Sequence, residues 1–330
     1  MNNGYYLGID VGSVSTNIVL MDCDGKIAKK SYLRTGGRPI DVLTAGLREF
    51  SQEVSDDEIL GIGTTGSGRQ LAAVICGADI VKNEITAHAV ASSSVVPDVA
   101  TILEIGGQDS KIIFLKDGVV CDFAMNTVCA AGTGSFLDRQ AERLGIPIEK
   151  FGGLALKAKS PTRIAGRCAV FAESDMIHKQ QMGHCTEDIV AGLCTALVRN
   201  YLSNLARGRE IFGPVMFQGG VAANTGIVAA FEEALSQKII IPRYFDVMGA
   251  WGAAILAQRH VKKTGTTAFR GFQNACSLYE TKSRECDGCS NACEVIEIST
   301  GGSVAARWGD KCGKWSNISS PQESKTSVSA

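Results

Sequence analysis

Short apolar runs alternate with glycine-rich polar loops through most of the chain. Residues 5–9 and 17–21 are mainly apolar and flank the loop D-V-G-S-V-S-T, and the turn D-C-D-G follows the second run. Apolar runs of this length between turn residues predict strands. The pattern therefore predicts a β-hairpin whose connecting loop carries a glycine and several hydroxyl groups.

The same arrangement recurs at residues 101–118. L-E-I-G-G-Q-D-S-K-I-I-F-L parallels L-G-I-D-V-G-S-V-S-T-N-I-V-L, and a D-G turn follows each. Such self-similarity predicts an internal duplication and hence two related lobes. Two glycine hairpins that face each other can hold a phosphate chain from both sides with their backbone N–H groups.

A third glycine loop and several helices complete the pattern. Residues 214–218 predict a strand that leads into the loop F-Q-G-G-V-A-A-N and then into a helix ending at Leu235. Further strands are predicted at 59–63 and 238–242. Helical spacing of apolar positions predicts helices at 40–50, 69–75, 84–91, 136–144, 169–181, 189–207 and 248–258.

Composition and charge narrow the class of protein. Hydrophobic residues make up 45% and charged residues 20% of the chain, and the net charge of −1 provides no basic field for nucleic acid. No apolar stretch is long enough to span a membrane, and no basic segment followed by an apolar one begins the chain, so we expect a cytoplasmic protein. Its 12 cysteines then favour reduced thiols and metal ligands over disulfides.

The three glycine loops, in this order and with helices between them, resemble those of the actin, heat-shock chaperone and sugar kinase superfamily of ATPases. Within it, four motifs together resemble the ATP-dependent activator component of 2-hydroxyacyl-CoA dehydratases, of the BadF/BadG/BcrA/BcrD type. They are L-G-I-D-V-G-S-V-S-T, E-I-G-G-Q-D-S-K, N-T-V-C-A-A-G-T-G-S-F-L and C-A-V-F-A-E-S-D-M-I, within residues 4–260. The resemblance implies a two-lobed, actin-like α/β fold. It consists of a duplicated, ribonuclease H-like mixed sheet with flanking helices, and ATP binds in the cleft between the lobes.

The resemblance also implies a function. Members of this family are homodimers with one [4Fe–4S] cluster bridging the subunits. They use ATP to drive a low-potential electron, supplied by reduced ferredoxin or flavodoxin, into a partner iron–sulfur dehydratase, reductase or double-cubane-cluster protein. Cys129 and Cys168 match the two cluster-ligand positions. A cubane cluster typically needs four thiolates, which a two-fold dimer supplies from two cysteines per chain. Both cysteines precede predicted helices, where free N–H groups favour thiolates; the alternative is a pair of inert structural thiols.

The same motifs predict the residues of the nucleotide site. Asp10 and Asp109 are expected to hold Mg²⁺ through water or to orient the attacking water, and Gln108 to position that water. The residues expected to line the ATP or ADP site are Gly12, Ser13, Val14, Ser15, Thr16, Gly106, Gly107, Gln108, Lys111, Gly132, Thr133, Gly134, Gly219, Gly220, Val221 and Asn224.

The duplication suggests domain boundaries. Residues 1–95 are expected to form lobe I, with 246–262 packing back on it, and 96–245 to form lobe II with the cluster cysteines. Residues 263–315 are a cysteine-rich extension, and the serine-rich tail 316–330 is predicted to be disordered. The extension's cysteines fit a second iron–sulfur cluster, a structural Zn²⁺ site or reduced thiols. They are Cys276, Cys286, Cys289, Cys293 and Cys312.

Two other functions stay open from the sequence. A small-metabolite kinase of the same superfamily needs a general base near an acceptor hydroxyl and no cluster, and an actin-like scaffold is expected to polymerise. His88 stands alone in a helical run, so we expect it to have a packing or interface role. The remaining cysteines match no ligand spacing and are expected to be core or surface thiols: Cys23, Cys76, Cys121, Cys185 and Cys194.

Overall fold

The computed structural model describes residues 4–126, 128–166 and 168–315. Two five-stranded sheets form two lobes. The strands of lobe I are β1 (Tyr5–Val11), β2 (Ser15–Asp22), β3 (Ile27–Arg34), β4 (Ile59–Thr65) and β5 (Ile80–Val81). Their order is β3-β2-β1-β4-β5, in which β1, β2 and β3 form an antiparallel meander and β4 and β5 add in parallel.

Lobe II repeats this topology. Its strands are β6 (Thr101–Ile105), β7 (Ser110–Lys116), β8 (Val119–Asn126), β9 (Val215–Gln218) and β10 (Ile239–Ile240). The order β10-β9-β6-β7-β8 has the same three antiparallel strands and the same two parallel additions. The duplication predicted from the two hairpins therefore extends to both whole sheets.

Helices cover the sheets and bury their apolar faces. Lobe I has α1 (Pro39–Phe50), α2 (Arg69–Cys76) and α3 (Glu84–Val95), and lobe II has α4 (Gly134–Leu144), α5 (Ile148–Ala155), α6 (Ala169–Gln181), α7 (Thr186–Leu205) and α8 (Thr225–Leu235). The core of lobe II centres on α7, whose Leu193, Leu197 and Tyr201 are buried. In lobe I, strand residues such as Leu7 and Ile9 pack with Leu47 of α1.

Helix α9 (Met248–Thr264) returns to lobe I and lies across β1 and β4. Two strand glycines allow this close approach. A side-chain carbon on Gly8 would collide with the backbone of Ala250, and one on Gly63 with the backbone of Ala253. Any larger residue at either position would push the helix away from the sheet.

The extension after α9 is folded and packs on lobe I. It contains α10 (Phe272–Ala275) and an antiparallel sheet in the order β11-β12-β13, formed by β11 (Tyr279–Glu285), β12 (Glu294–Thr300) and β13 (Ser303–Trp308). Phe272 and Ile298 are buried in the same apolar cluster as Leu71 and Ile75 of α2. The disorder predicted for 316–330 lies outside the described residues.

Among the described residues, no helix is both long and apolar enough to cross a membrane.

Candidate nucleotide site and cysteine face

The two glycine hairpins have the same backbone turn and meet at their tips. The Gly12 N–H donates to the Ser15 carbonyl at 2.9 Å, and the Gly106 N–H donates to the Asp109 carbonyl at 3.0 Å. A side-chain carbon on Gly107 would lie 2.7 Å from the Val14 side chain. The hairpin tips therefore meet and close one end of the cleft between the lobes.

A polar cavity lies beneath the hairpins and brings together most of the predicted nucleotide residues. The Gly219–Gly220 loop, which begins at the end of β9, forms another wall. The predicted residues that line this cavity are Asp10, Gly12, Ser13, Val14, Ser15, Gly106, Gly107, Gln108, Asp109, Lys111, Gly219 and Gly220.

Lys111 lies beneath this cavity at the centre of a buried charge cluster. Its Nζ is 2.7 Å from Glu84, 3.0 Å from Glu104 and 2.9 Å from Asp109, and only 2% of its side chain is exposed. Burial alone would lower the pKa of Lys111, but the carboxylates of Glu104, Glu84 and Asp109 outweigh it and raise the pKa above its ordinary value. The ammonium thus forms ion pairs with three carboxylates.

The cavity carries a surplus of acidic groups. Burial, with the nearby Glu84 carboxylate, raises the pKa of Asp10 to about 8, and burial raises that of Glu104 to about 7, although Lys111 lowers both. One ammonium does not balance the four carboxyl groups of Asp10, Glu84, Glu104 and Asp109. A hard divalent cation prefers oxygen ligands of this kind.

A second cavity of about 450 Å³ adjoins the first and fits a nucleoside. The two share Val14, Tyr32, Gly106, Gly107 and Gly220 as lining residues. Lobe II supplies most of the remaining wall, including the predicted Gly134, Val221 and Asn224. Asn224 also caps α8, since its Oδ1 accepts from the backbone N–H groups of Gly226 and Ile227.

Three of the predicted nucleotide residues line neither cavity. The Thr16 hydroxyl is buried and 3.0 Å from that of Thr35. Gly132 and Thr133 are buried in the loop before α4, where the Thr133 hydroxyl donates to the Ala130 carbonyl at 2.8 Å. These three residues lie in or next to the loops that form the site.

Several cavity residues were not predicted from the sequence. Glu84 and His88 are one helical turn apart on α3, so their spacing was a usable signal. Glu104 is a charged residue inside an otherwise apolar strand, which is another. The unpredicted residues that line the polar cavity are Asn17, Tyr32, Ser67, Glu84, His88, Glu104, Phe245, Asp246, Met248 and Gly249.

Cys129 and Cys168 lie in two loops that meet at one side chain. Cys129 precedes the short turn Ala130–Gly132 that leads into α4, and Cys168 directly precedes α6. Asn200 of α7 donates to the Gly166 carbonyl at 2.5 Å, and its Oδ1 is 2.9 Å from the position of a side-chain carbon on Gly132. The loops that carry both cysteines therefore converge on Asn200.

Ion pairs tie the two helices that follow these cysteines. Glu173 of α6 accepts from Arg139 of α4 at 3.0 Å and lies 2.6 Å from Arg143. The start of α4 is also bonded to the second phosphate hairpin, because Gly134 N–H donates to the Gly106 carbonyl at 2.8 Å. The next N–H, of Ser135, donates to the Gly107 carbonyl at 2.9 Å, and the Ser135 hydroxyl does so at 2.5 Å.

The surface around the two cysteines is apolar and exposed. Val128 is 94% exposed beside Cys129, and Val170 and Phe171 are 69% and 67% exposed just after Cys168. Large apolar side chains grouped on a surface are typical of interaction sites. Both cysteines themselves are half-buried.

The extension's cysteines separate into two places. Cys286 and Cys293 pair through their backbones at the base of the β11–β12 loop, and Cys286 Sγ accepts from the Gly288 N–H at 3.4 Å and from Trp315 Nε1 at 3.2 Å. These donors lower the pKa of the Cys286 thiol. Cys289 lies in that loop and Cys312 in the segment that ends at Trp315. Cys276 lies elsewhere, with its Sγ 3.7 Å from the Thr44 carbonyl.

Within residues 4–126, 128–166 and 168–315, no three or more His, Cys, Asp or Glu side chains are already arranged to hold a metal ion.

The part of the chain that forms this site is similar in sequence and structure to activators of 2-hydroxyacyl-CoA dehydratases. It is 34% identical over 265 residues to the (R)-2-hydroxyglutaryl-CoA dehydratase activating ATPase of Acidaminococcus fermentans, covering 78% of this chain and 99% of that one. The solved activator of the 2-hydroxyisocaproyl-CoA dehydratase from Clostridium difficile, with bound ADPNP, has a TM-score of 0.72 at 31% identity. That match covers 79% of this chain and 97% of the other.

A more distant structure shows the fold alone. A ROK family glucokinase from Streptomyces griseus, in complex with glucose and AMPPNP, has a TM-score of 0.51 at 12% identity, covering 78% of this chain and 100% of that one. Together with the two repeated sheets, these similarities confirm the predicted two-lobed, actin-like α/β fold. The model of the BadF/BadG/BcrA/BcrD ATPase family matches residues 7–257, and the chain belongs to that family.

Proposed function

We propose that this protein is an ATP-hydrolysing activator that passes a low-potential electron to a partner iron–sulfur enzyme. The observation that carries the proposal is the direct bonding between the nucleotide hairpin and the helix that follows a cysteine loop. Gly106 and Gly107 line the phosphate cavity, and their carbonyls accept hydrogen bonds from Gly134 and Ser135 of α4. The names of two similar activators support the same role.

ATP would bind in the two adjoining cavities. The nucleoside would occupy the larger one, and the phosphates would lie under the hairpins, where backbone N–H groups near Gly12 and Gly107 would donate to them. Asp10 and Asp109 would hold Mg²⁺ through water, and the ion would neutralise charge on the phosphates. Gln108 lines the same cavity and is our candidate for positioning the attacking water.

The cysteine face fits half of a shared cluster site. Each chain provides Cys129 and Cys168, and a two-fold axis beside them would provide four thiolates. The N-terminal N–H groups of α6, which begins directly after Cys168, favour a thiolate and an anionic cluster. The exposed Val128, Val170 and Phe171 would be covered by the second subunit. A [4Fe–4S] cluster bound there would supply the transferred electron.

The bonds within the chain offer a route for coupling. A shift of the Gly107 hairpin when the terminal phosphate arrives or leaves would pull on the start of α4 through Ser135. Glu173 would pass the movement to α6, because it pairs with both Arg139 and Arg143. The angle of both helices at the cysteine face would then change.

The partner in this proposal is a 2-hydroxyacyl-CoA dehydratase or a related reductase, and reduced ferredoxin or flavodoxin is the electron donor. A small-metabolite kinase is the alternative, and it predicts a colourless protein. Anaerobic purification of the wild type and of Asp10→Asn tests both. We expect both proteins to show the visible absorption of an iron–sulfur cluster and only the wild type to hydrolyse ATP. A colourless wild type contradicts the activator role, and retained turnover in Asp10→Asn contradicts the role of this carboxylate.

A further inference from the structure

His88 faces the phosphate cavity instead of only filling the core. It lies on α3, one turn after Glu84, and is 6% exposed among the lining residues. Its Nδ1 points away from the cavity and lies 2.9 Å from Nε2 of Gln218 on β9. The imidazole therefore bridges a lobe II strand and the space beneath the hairpins.

A buried chain of polar groups runs from Ser92 through Gln218 to His88. Ser92, one turn further along α3, directs its hydroxyl to Gln218 Oε1 at 3.2 Å. With its oxygen facing Ser92, the amide turns its NH₂ group towards His88. Ser92 and Gln218 are both fully buried, so water does not compete for either end.

This orientation determines which ring nitrogen carries the proton. An amide NH₂ donates and does not accept, so His88 Nδ1 must be the acceptor. In a neutral imidazole the other nitrogen then carries the hydrogen. Burial and the nearby Lys111 charge, opposed by Glu84, lower the pKa of His88 to about 4, in agreement with a neutral ring.

The Nε2 edge lies towards Gly249 and Asp10. A side-chain carbon on Gly249 would lie 3.4 Å from His88 Nε2 and would collide with Asp10 Oδ2, so both side chains approach this glycine closely. Asp10, His88 and Gly249 also line the polar cavity, so a water oxygen in that cavity can lie next to both side chains. Asp10 offers that oxygen an acceptor, and His88 offers it a donor.

We propose that His88 is a positioning residue for ATP hydrolysis: Ser92 and Gln218 fix it as the Nε2–H tautomer, and this N–H holds a water molecule beside Asp10. The proposal rests on the ATPase activity of the proposed function but not on its cluster. The role differs from the packing or interface role expected for an isolated histidine.

Two substitutions distinguish the role of His88 Nδ1 from that of His88 Nε2. In His88→Asn the short amide replaces the Nδ1 edge and leaves the cavity without a donor, whereas in His88→Gln the amide reaches the Nε2 position. We expect kcat for ATP hydrolysis to fall at least about 10-fold in His88→Asn, with KM for ATP changed less than about 3-fold. His88→Gln should recover most of the loss. His184→Asn, at an exposed turn, is the matched control and should keep wild-type kcat.

A tautomer measurement decides the inference even if a variant fails to fold. The chain has only 4 histidines, so ¹⁵N-histidine NMR of the full-length wild type can resolve them, with ¹H–¹⁵N couplings giving the tautomer of the buried ring. We expect a neutral His88 with its hydrogen on Nε2. A hydrogen on Nδ1 overturns the proposal, as does equal kcat in His88→Asn and the wild type. Lack of ATP hydrolysis by the wild type would instead refute the proposed function and leave the tautomer result standing.

Discussion

Replacing Lys111 by methionine tests the charge cluster beneath the phosphate cavity. Methionine keeps much of the side-chain volume and removes the ammonium that faces Glu84, Glu104 and Asp109. Removing one partner from a buried ion cluster typically costs about 3–5 kcal/mol, because the remaining charges stay buried without compensation. We expect a loss of this size in the free energy of unfolding at about pH 8.

The loss should shrink in acid. Burial raises the pKa of Glu104 to about 7, above its unfolded value, so ionising it weighs against the folded state. That cost is fully present above the folded pKa and is lost as pH falls towards the unfolded value. At about pH 5 the Glu104 carboxyl is protonated in both proteins, whereas Glu84, whose pKa Lys111 lowers, still needs the ammonium. The difference should therefore be smaller than at about pH 8 without disappearing.

Anaerobic urea denaturation at the two pH values measures this difference. Lys238→Met is the matched control, since the Lys238 side chain is 91% exposed and its ion pair with Glu232 is worth at most about 1 kcal/mol. If Lys111→Met costs no more than Lys238→Met, or costs the same at both pH values, the buried cluster does not stabilise the fold in the way described here.

Three further predictions concern the nucleoside wall, the coupling bond and the extension. A side-chain carbon on Gly152 would lie 2.7 Å from Asn224 Oδ1, so Gly152→Ala should raise KM for ATP about 10-fold in steady-state assays. An unchanged KM would contradict the placement of the nucleoside in this cavity. Ser135→Ala removes the hydrogen bond from the Ser135 hydroxyl to the Gly107 carbonyl. It should lower the rate of ATP-dependent electron transfer more than the rate of ATP hydrolysis when both are assayed on the same protein. Equal losses would contradict coupling through Ser135. Phe272→Ala should cost about 3–5 kcal/mol in urea denaturation, against little for the 91% exposed Leu278→Ala.

Much of the fold could be predicted because the two hairpins carry local signals. Their glycines and hydroxyls mark the loops, and apolar strands on either side fix the register. The edge strand β3 was missed because its side chains alternate between half-buried and exposed, and I-A-K-K-S-Y-L-R has little apolar content. Strand β11 was missed for the same reason, since E-T-K-S-R-E is almost wholly exposed.

The sequence predicted the residues of the candidate site only where they are contiguous along the chain. Residues of the glycine loops were found because each loop is a continuous segment. The partners of Lys111 come from α3, β6 and the second hairpin, and no local pattern joins Glu84 to Glu104. His88 and Gln218 are 130 positions apart, and only the packing of α3 against lobe II brings them together.

Iron and sulfide analysis of anaerobically purified protein tests whether Cys129 and Cys168 bind a bridging cluster. We expect Cys129→Ala and Cys168→Ala each to lose about four iron and four sulfide per dimer relative to the wild type. Cys276→Ala, whose thiol lies at the Thr44 carbonyl, serves as the control and should lose none. Iron that remains in the first two variants would be assigned to the other extension cysteines. Unchanged iron in both Cys129→Ala and Cys168→Ala would contradict the account.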